Sequence, residues 1–168
     1  MEKRIATEVR ASNRKLIGYA ATFNNETRIG SMTEVIRPGA FRASLEANRD
    51  VLCLADHDHT RVLGRTKSGT LRLSEDARGL HFELDVPDTA TGRDILALAE
   101  RNDLGGMSFG FNVPEDGQSW QGSKRTLSRV DLAEISVVSA WPAYQQTSIE
   151  ARARGPKTLK IKRYLETV

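Results

Sequence analysis

Apolar residues in this chain come in short runs, about four to eight long, and Gly, Pro or Asn closes most of them. That pattern leaves little room for long helices, which need an apolar stripe at 3.6-residue spacing, and it commits most of the chain to strands. "KLIGYAATF" ends at Asn24-Asn25, and "MTEVIRPG" stops at Pro38-Gly39. "VLCLA" is apolar without alternation, as expected of a strand buried on both faces. "RVLGRT", "TLRLSED" and "GLHFELDVP" follow at short spacing with Gly between them, which predicts an antiparallel meander. In the last of these Leu80, Phe82, Leu84 and Val86 point inward, and His81, Glu83 and Asp85 point outward. "PEDGQSWQGSK" reads as a polar loop or hairpin tip, and "LAEISVVSAWPA" as a final strand ended by Pro142. Helical spacing occurs in two places. "AFRASLEAN" sets Phe41 and Leu45 four apart, and "TATGRDILALAERND" lines up Ile95, Leu96, Leu98 and Ala99 behind Thr89 or Thr91 as N-cap. The predicted fold class is α+β: a curved, barrel-like, mostly antiparallel sheet with a few flanking helices.

At 168 residues the chain is long enough for one domain with one proper core. A net charge of +3 is too small to argue for a nucleic-acid partner, and no apolar run approaches the ~20 residues that span a bilayer. The start, "MEKRIATEVR", carries charge throughout and no apolar signal core. The single cysteine, Cys53, excludes an intramolecular disulfide, so a reducing, cytosolic compartment is expected. Residues 151–168 concentrate Arg and Lys and read as a basic, mobile C-terminal segment appended to a folded unit of residues 1–150.

The stretch "NDLGGMSFGF" carries the first hint of chemistry. Met107, Phe109, Phe111 and Val113 share one face of a strand, leaving Ser108, Gly110 and Asn112 on a nearly bare second face. Bareness of that kind either lets another backbone come close or leaves room for a substrate. A serine nucleophile needs a base, and the chain has three histidines. His81 lies on the outward face of an alternating strand. His57 and His59 lie in "LADHDHTRVLG", where a buried strand opens into polar residues, and their shared parity would place both on one face. Asp56 and Asp58 beside them allow a metal-dependent hydrolase as one alternative, although two histidines supply only two ligands. A second alternative is that both histidines simply cap a strand end. Glu134 is a lone carboxylate within the apolar "LAEISVV", expected to share a strand face with Leu132, Ser136 and Val138 and to lie opposite Asp131, and burying it costs several kcal/mol unless a partner such as an imidazole compensates.

Taken in order, "GYAATFN", "IRPGAF", "HD" at a strand end, "GMSFGF" after a helix and "EISVVSAWPA" resemble the capsid-maturation proteases of tailed phages, in particular the prohead proteases typified by phage HK97. The resemblance runs from about Leu16 to Ile149. It implies a serine endopeptidase, similar in fold to the herpesvirus assemblins, that cleaves the major capsid protein and its scaffold region within a procapsid in the host cytoplasm. No cofactor, membrane or nucleic acid is implied, and self-cleavage and a homo-oligomer are left open. Carried over residue by residue, the nucleophile falls on Ser108 and the general base on His57. Glu134 fits the third place, which varies more among relatives. A third alternative is a catalytically inactive, scaffold-like assembly protein that keeps the fold. Gly105 and Gly106 are expected to leave the backbone N–H groups accessible to an oxyanion, and Arg125 and Arg129 to be surface strand residues, with support of the oxyanion by either one as the alternative.

Overall fold

The computed structural model describes residues 10–140 apart from residue 13. The basic segment 151–168, the boundary expected near residue 150 and the stop at Pro142 all lie outside the described residues. Twelve strands and two α-helices follow one another among the described residues: β1 (Arg10–Ser12), β2 (Lys15–Thr22), β3 (Thr27–Ile29), β4 (Met32–Ile36), α1 (Arg42–Glu46), β5 (Leu52–Ala55), β6 (Asp58–Arg65), β7 (Leu71–Glu75), β8 (Gly79–Asp85), α2 (Ala90–Glu100), β9 (Gly106–Asn112), β10 (Gln118–Gln121), β11 (Lys124–Leu127) and β12 (Asp131–Val138). The α+β class is therefore observed, but the strands divide into three four-stranded sheets, none of them closed into a barrel: β1-β2-β8-β7, β10-β11-β4-β3 and β6-β5-β12-β9. Pairing is mostly antiparallel, with β4–β11 and β5–β12 parallel.

One core joins the sheets. Leu80, Phe82 and Leu84 of β8 are fully buried, as the alternation requires, and they meet Cys53 and Ala55 of β5 and Ile135 and Val137 of β12 in a single cluster. Each of the Leu, Ile, Val and Phe side chains contributes roughly 1.5–3 kcal/mol by leaving water. An aromatic row runs beneath the serine strand: Phe41 stacks on Phe23 and meets Phe109 edge-on, and Phe109 stacks on Phe111. β9 is thereby anchored by one face, which frees the other for a site. α2 begins where its cap signal lies, with the Thr89 hydroxyl accepting the Gly92 N–H at 3.1 Å. No helix among the described residues is long and apolar enough to cross a membrane.

The expected meander is broken. β7 and β8 pair, but β6 pairs with β5 in a different sheet. Gly64 makes this crossing feasible, because a Cβ there would stand 2.6 Å from Leu84 Cδ1. Of the two readings of the polar stretch after Val113, loop or hairpin tip, the hairpin is observed. A 3-10 turn at Glu115–Gly117 leads into the β10–β11 hairpin, whose second strand adds in parallel to β4.

Candidate active site

The third sheet, β6-β5-β12-β9, brings the sequence-predicted residues together. In the β9–β12 pairing Ser108 faces Ser136 and Gly110 faces Glu134. Partners across an antiparallel pair share a face, so Ser108, Gly110, Glu134 and Ser136 form one patch opposite the aromatic row. A register shift between Leu132 and Glu134 alters the parity expected of β12. Leu132 pairs with Phe111 and turns to the core, instead of sharing Glu134's face. Asp131 pairs with Asn112 and so shares the face of Glu134, where simple alternation predicts the opposite. Beside the bulge the Leu132 N–H donates to the buried Ser44 hydroxyl of α1 at 2.9 Å.

His57 reaches this patch from a turn. Ala55 pairs with Asp58, so Asp56 and His57 are the two residues of a tight hairpin loop, with φ of 50° and 61°. Positive φ at both positions is the signature of a type I′ turn, usually occupied by Asn-Gly or Asp-Gly. A histidine in the glycine position is held in the left-handed region at a cost of order 1 kcal/mol, a form of strain found at functional sites. The expectation that an extended backbone sets His57 and His59 on one face therefore fails; His59 is exposed on β6. Asp56 pins the turn to the end of β12. Its N–H donates to Val137 O at 2.9 Å, and its carboxylate accepts from the Ser139 N–H at 2.7 Å and the Ser139 hydroxyl at 3.0 Å.

From that turn the His57 Nδ1 meets Glu134 Oε1 at 2.9 Å. Glu134 is 7% exposed, and its other oxygen, Oε2, accepts from the Ser136 hydroxyl at 2.5 Å. A carboxylate only accepts, so this contact calls for the proton on Nδ1, and in the neutral imidazole Nε2 then carries the lone pair that a base needs. Nε2 is out of contact with solvent and has no hydrogen-bond partner among the described residues. An unpaired buried acceptor costs about 1–3 kcal/mol, which folding alone gives no reason to retain. A Cβ at Gly110 would lie 2.6 Å from the same Oε1. The carboxylate thus leans over β9 at Gly110, two residues along the face from Ser108. At Gly110 the bare face is filled neither by another backbone nor by open space but by the Glu134 side chain.

Other candidates are engaged elsewhere. Asp58 accepts from the Thr60 hydroxyl at 2.6 Å and the Thr60 N–H at 2.8 Å, interactions that hold its carboxyl below the usual range. With Asp56 turned to Ser139 and Arg61, the "DHDH" carboxylates do not converge, and no group of three His, Cys, Asp or Glu among the described residues is arranged to hold a metal ion. Asp131 faces Arg49 at 3.9 Å. Cys53 is buried, and burial first, then the Glu134 carboxylate, pushes its thiol far above the usual range, which leaves it inert as a nucleophile. Arg125 is a buried structural residue, contrary to both expectations: it donates to Glu34 at 3.1 Å and to Gln118 at 2.8 Å. Arg129 pairs with Asp116. The Gly105 N–H, expected to be open to an oxyanion, instead donates to Val138 O at 2.8 Å, and a Cβ there would stand 2.6 Å from Ala140 O. Ser136 escaped the sequence reading as a site residue. Its only signal was a position two residues from Glu134 on the same strand face.

No curated protein and no solved structure gives a match to the chain. The sequence pattern of one family does match, and over residues 3–161, so that it takes in all three sheets together with the hydrogen-bonded His57 and Glu134 and the serine beside them. The chain belongs to the caudovirus prohead serine protease family and is a serine protease of phage capsid maturation.

Proposed function

We propose that this protein is an endopeptidase of the HK97 type that cleaves the major capsid protein and its scaffold region inside a newly assembled procapsid in the host cytoplasm. Ser108 is the nucleophile, His57 the general base, and Glu134 the carboxylate that orients the base. The observation that carries this reading is the hydrogen bond from His57 Nδ1 to Glu134, made across 77 positions of sequence on the face that also bears Ser108. In the reaction Ser108 Oγ attacks the scissile carbonyl as Nε2 takes its proton. Glu134 stabilises the resulting imidazolium through Nδ1–H, and the imidazolium then returns the proton to the leaving amine. Water hydrolyses the acyl-enzyme by the same proton path, and no cofactor is needed. Self-cleavage in the basic segment 151–168, homo-oligomerisation, and a wrapped, barrel-like arrangement of the sheets akin to that of herpesvirus assemblins belong to the same reading. The shared core of the three sheets supports the last of these.

Coexpression with the capsid protein, followed by intact-mass spectrometry, tests the proposal. The wild-type chain is expected to shorten the capsid protein, and Ser108→Ala to leave it whole. A folded Ser108→Ala protein that cleaves at the wild-type rate would falsify the nucleophile assignment.

A further inference from the structure

We infer that Ser136 is a positioning residue of the catalytic site, acting through Glu134 to keep the His57 imidazole aimed. This inference rests on the proposed triad. Ser136 is fully buried on β12, between Ile135 and Val137 and directly across from Ser108. A hydroxyl among such neighbours is costly to bury without a partner. It donates to Glu134 Oε2 at 2.5 Å while His57 occupies Oε1 at 2.9 Å.

The two contacts divide the carboxylate between two roles. The terminal torsion of a glutamate is broad and nearly two-fold, so a single hydrogen bond leaves the carboxylate plane free to swing. A second bond on the far oxygen removes that freedom, and a hydroxyl bound to a carboxylate is among the stronger partners available. Gly110 closes the remaining side, where a Cβ would press on Oε1. Glu134 is therefore gripped from β12 by Ser136 and walled by β9, and its orientation passes to Nδ1 of His57. Ser136 acts on the carboxylate and not on the substrate, so its loss falls on kcat and spares KM.

A double-mutant cycle in the full chain, read with a capsid-derived peptide, tests the role. Ser136→Ala is expected to lower kcat about tenfold with KM unchanged, the scale of one lost charge-assisted hydrogen bond. In a Glu134→Gln background the same change is expected to have no further effect, because the group it orients is already lost. A wild-type kcat for Ser136→Ala, a change confined to KM, or a full tenfold loss added to that of Glu134→Gln would overturn the inference. If Glu134→Gln itself turns over normally, the proposed triad fails at its third place, a distinct result. Should the alanine variant not fold, Ser136→Thr retains the hydroxyl. Near-normal kcat then supports the role, and a folded Ser136→Thr protein as slow as Glu134→Gln refutes it.

Discussion

Gly110→Ala adds one methyl group where β9 passes Glu134. The new Cβ would stand 2.6 Å from Oε1, 3.1 Å from Cγ and 3.2 Å from Cδ of Glu134. An ordinary contact is about 3.5 Å, so Oε1 must retreat by about 0.9 Å. The hydrogen bond to His57 starts at 2.9 Å, and a retreat of that size carries it past the ~3.2 Å limit unless the imidazole follows. It cannot follow freely, because Asp56 ties the turn to Ser139. We expect kcat/KM for a capsid-derived peptide to fall about 10²-fold, or roughly 2.7 kcal/mol of transition-state stabilisation, and fluorophosphonate labelling of Ser108 to slow in parallel. The fold should survive. Gly110 does not have the positive φ that strains other residues, alanine regains about 0.5–1 kcal/mol of strand entropy, and the atom it displaces is the end of a side chain. The melting temperature is therefore expected to stay within about 4 °C. A folded Gly110→Ala protein with kcat/KM within twofold of wild type would refute the claim that the bare position exists to seat the carboxylate.

Three further outcomes are expected. His57→Ala should reduce turnover by several orders of magnitude and His59→Ala by about tenfold at most, since only His57 meets Glu134; the reverse order in steady-state assays would move the base. Glu134→Gln should cost about 10²-fold, whereas Asp58→Asn and Asp131→Asn, engaged with Thr60 and Arg49, should stay within about tenfold, and near-normal Glu134→Gln with an inactive Asp variant would exclude this triad. Arg125→Ala removes one partner of a buried ion pair with Glu34 and should destabilise the protein by about 3 kcal/mol in urea denaturation, with kcat of the folded enzyme retained; loss of kcat without loss of stability would return Arg125 to the oxyanion role.

The strand that alternates cleanly was legible in the sequence, because burial of one face enforces a period of two: β8 behaves as written, whereas in β9 Gly110 is buried on the face expected to be bare. So was the continuous β5 and the capped start of α2, each set by a local rule. Ser108, His57 and Glu134 were legible as candidates because each residue type is costly or idle where it stands unless it has a partner. Their arrangement was not. The bulge beside Ala133 turns Leu132 inward and brings Asp131 to the face of Glu134, and one extra residue defeats every parity argument beyond it. The left-handed turn at Asp56-His57 carries no glycine to announce it, and it is sustained by Ser139, 83 positions from Asp56. The parallel union of β5 with β12, on which the His57–Glu134 contact depends, pairs residues 82 positions apart. Local pattern determines which residues must be buried, turned or capped; which buried polar groups meet is decided by pairings between distant strands, whose free energy exists only once the sheet has formed.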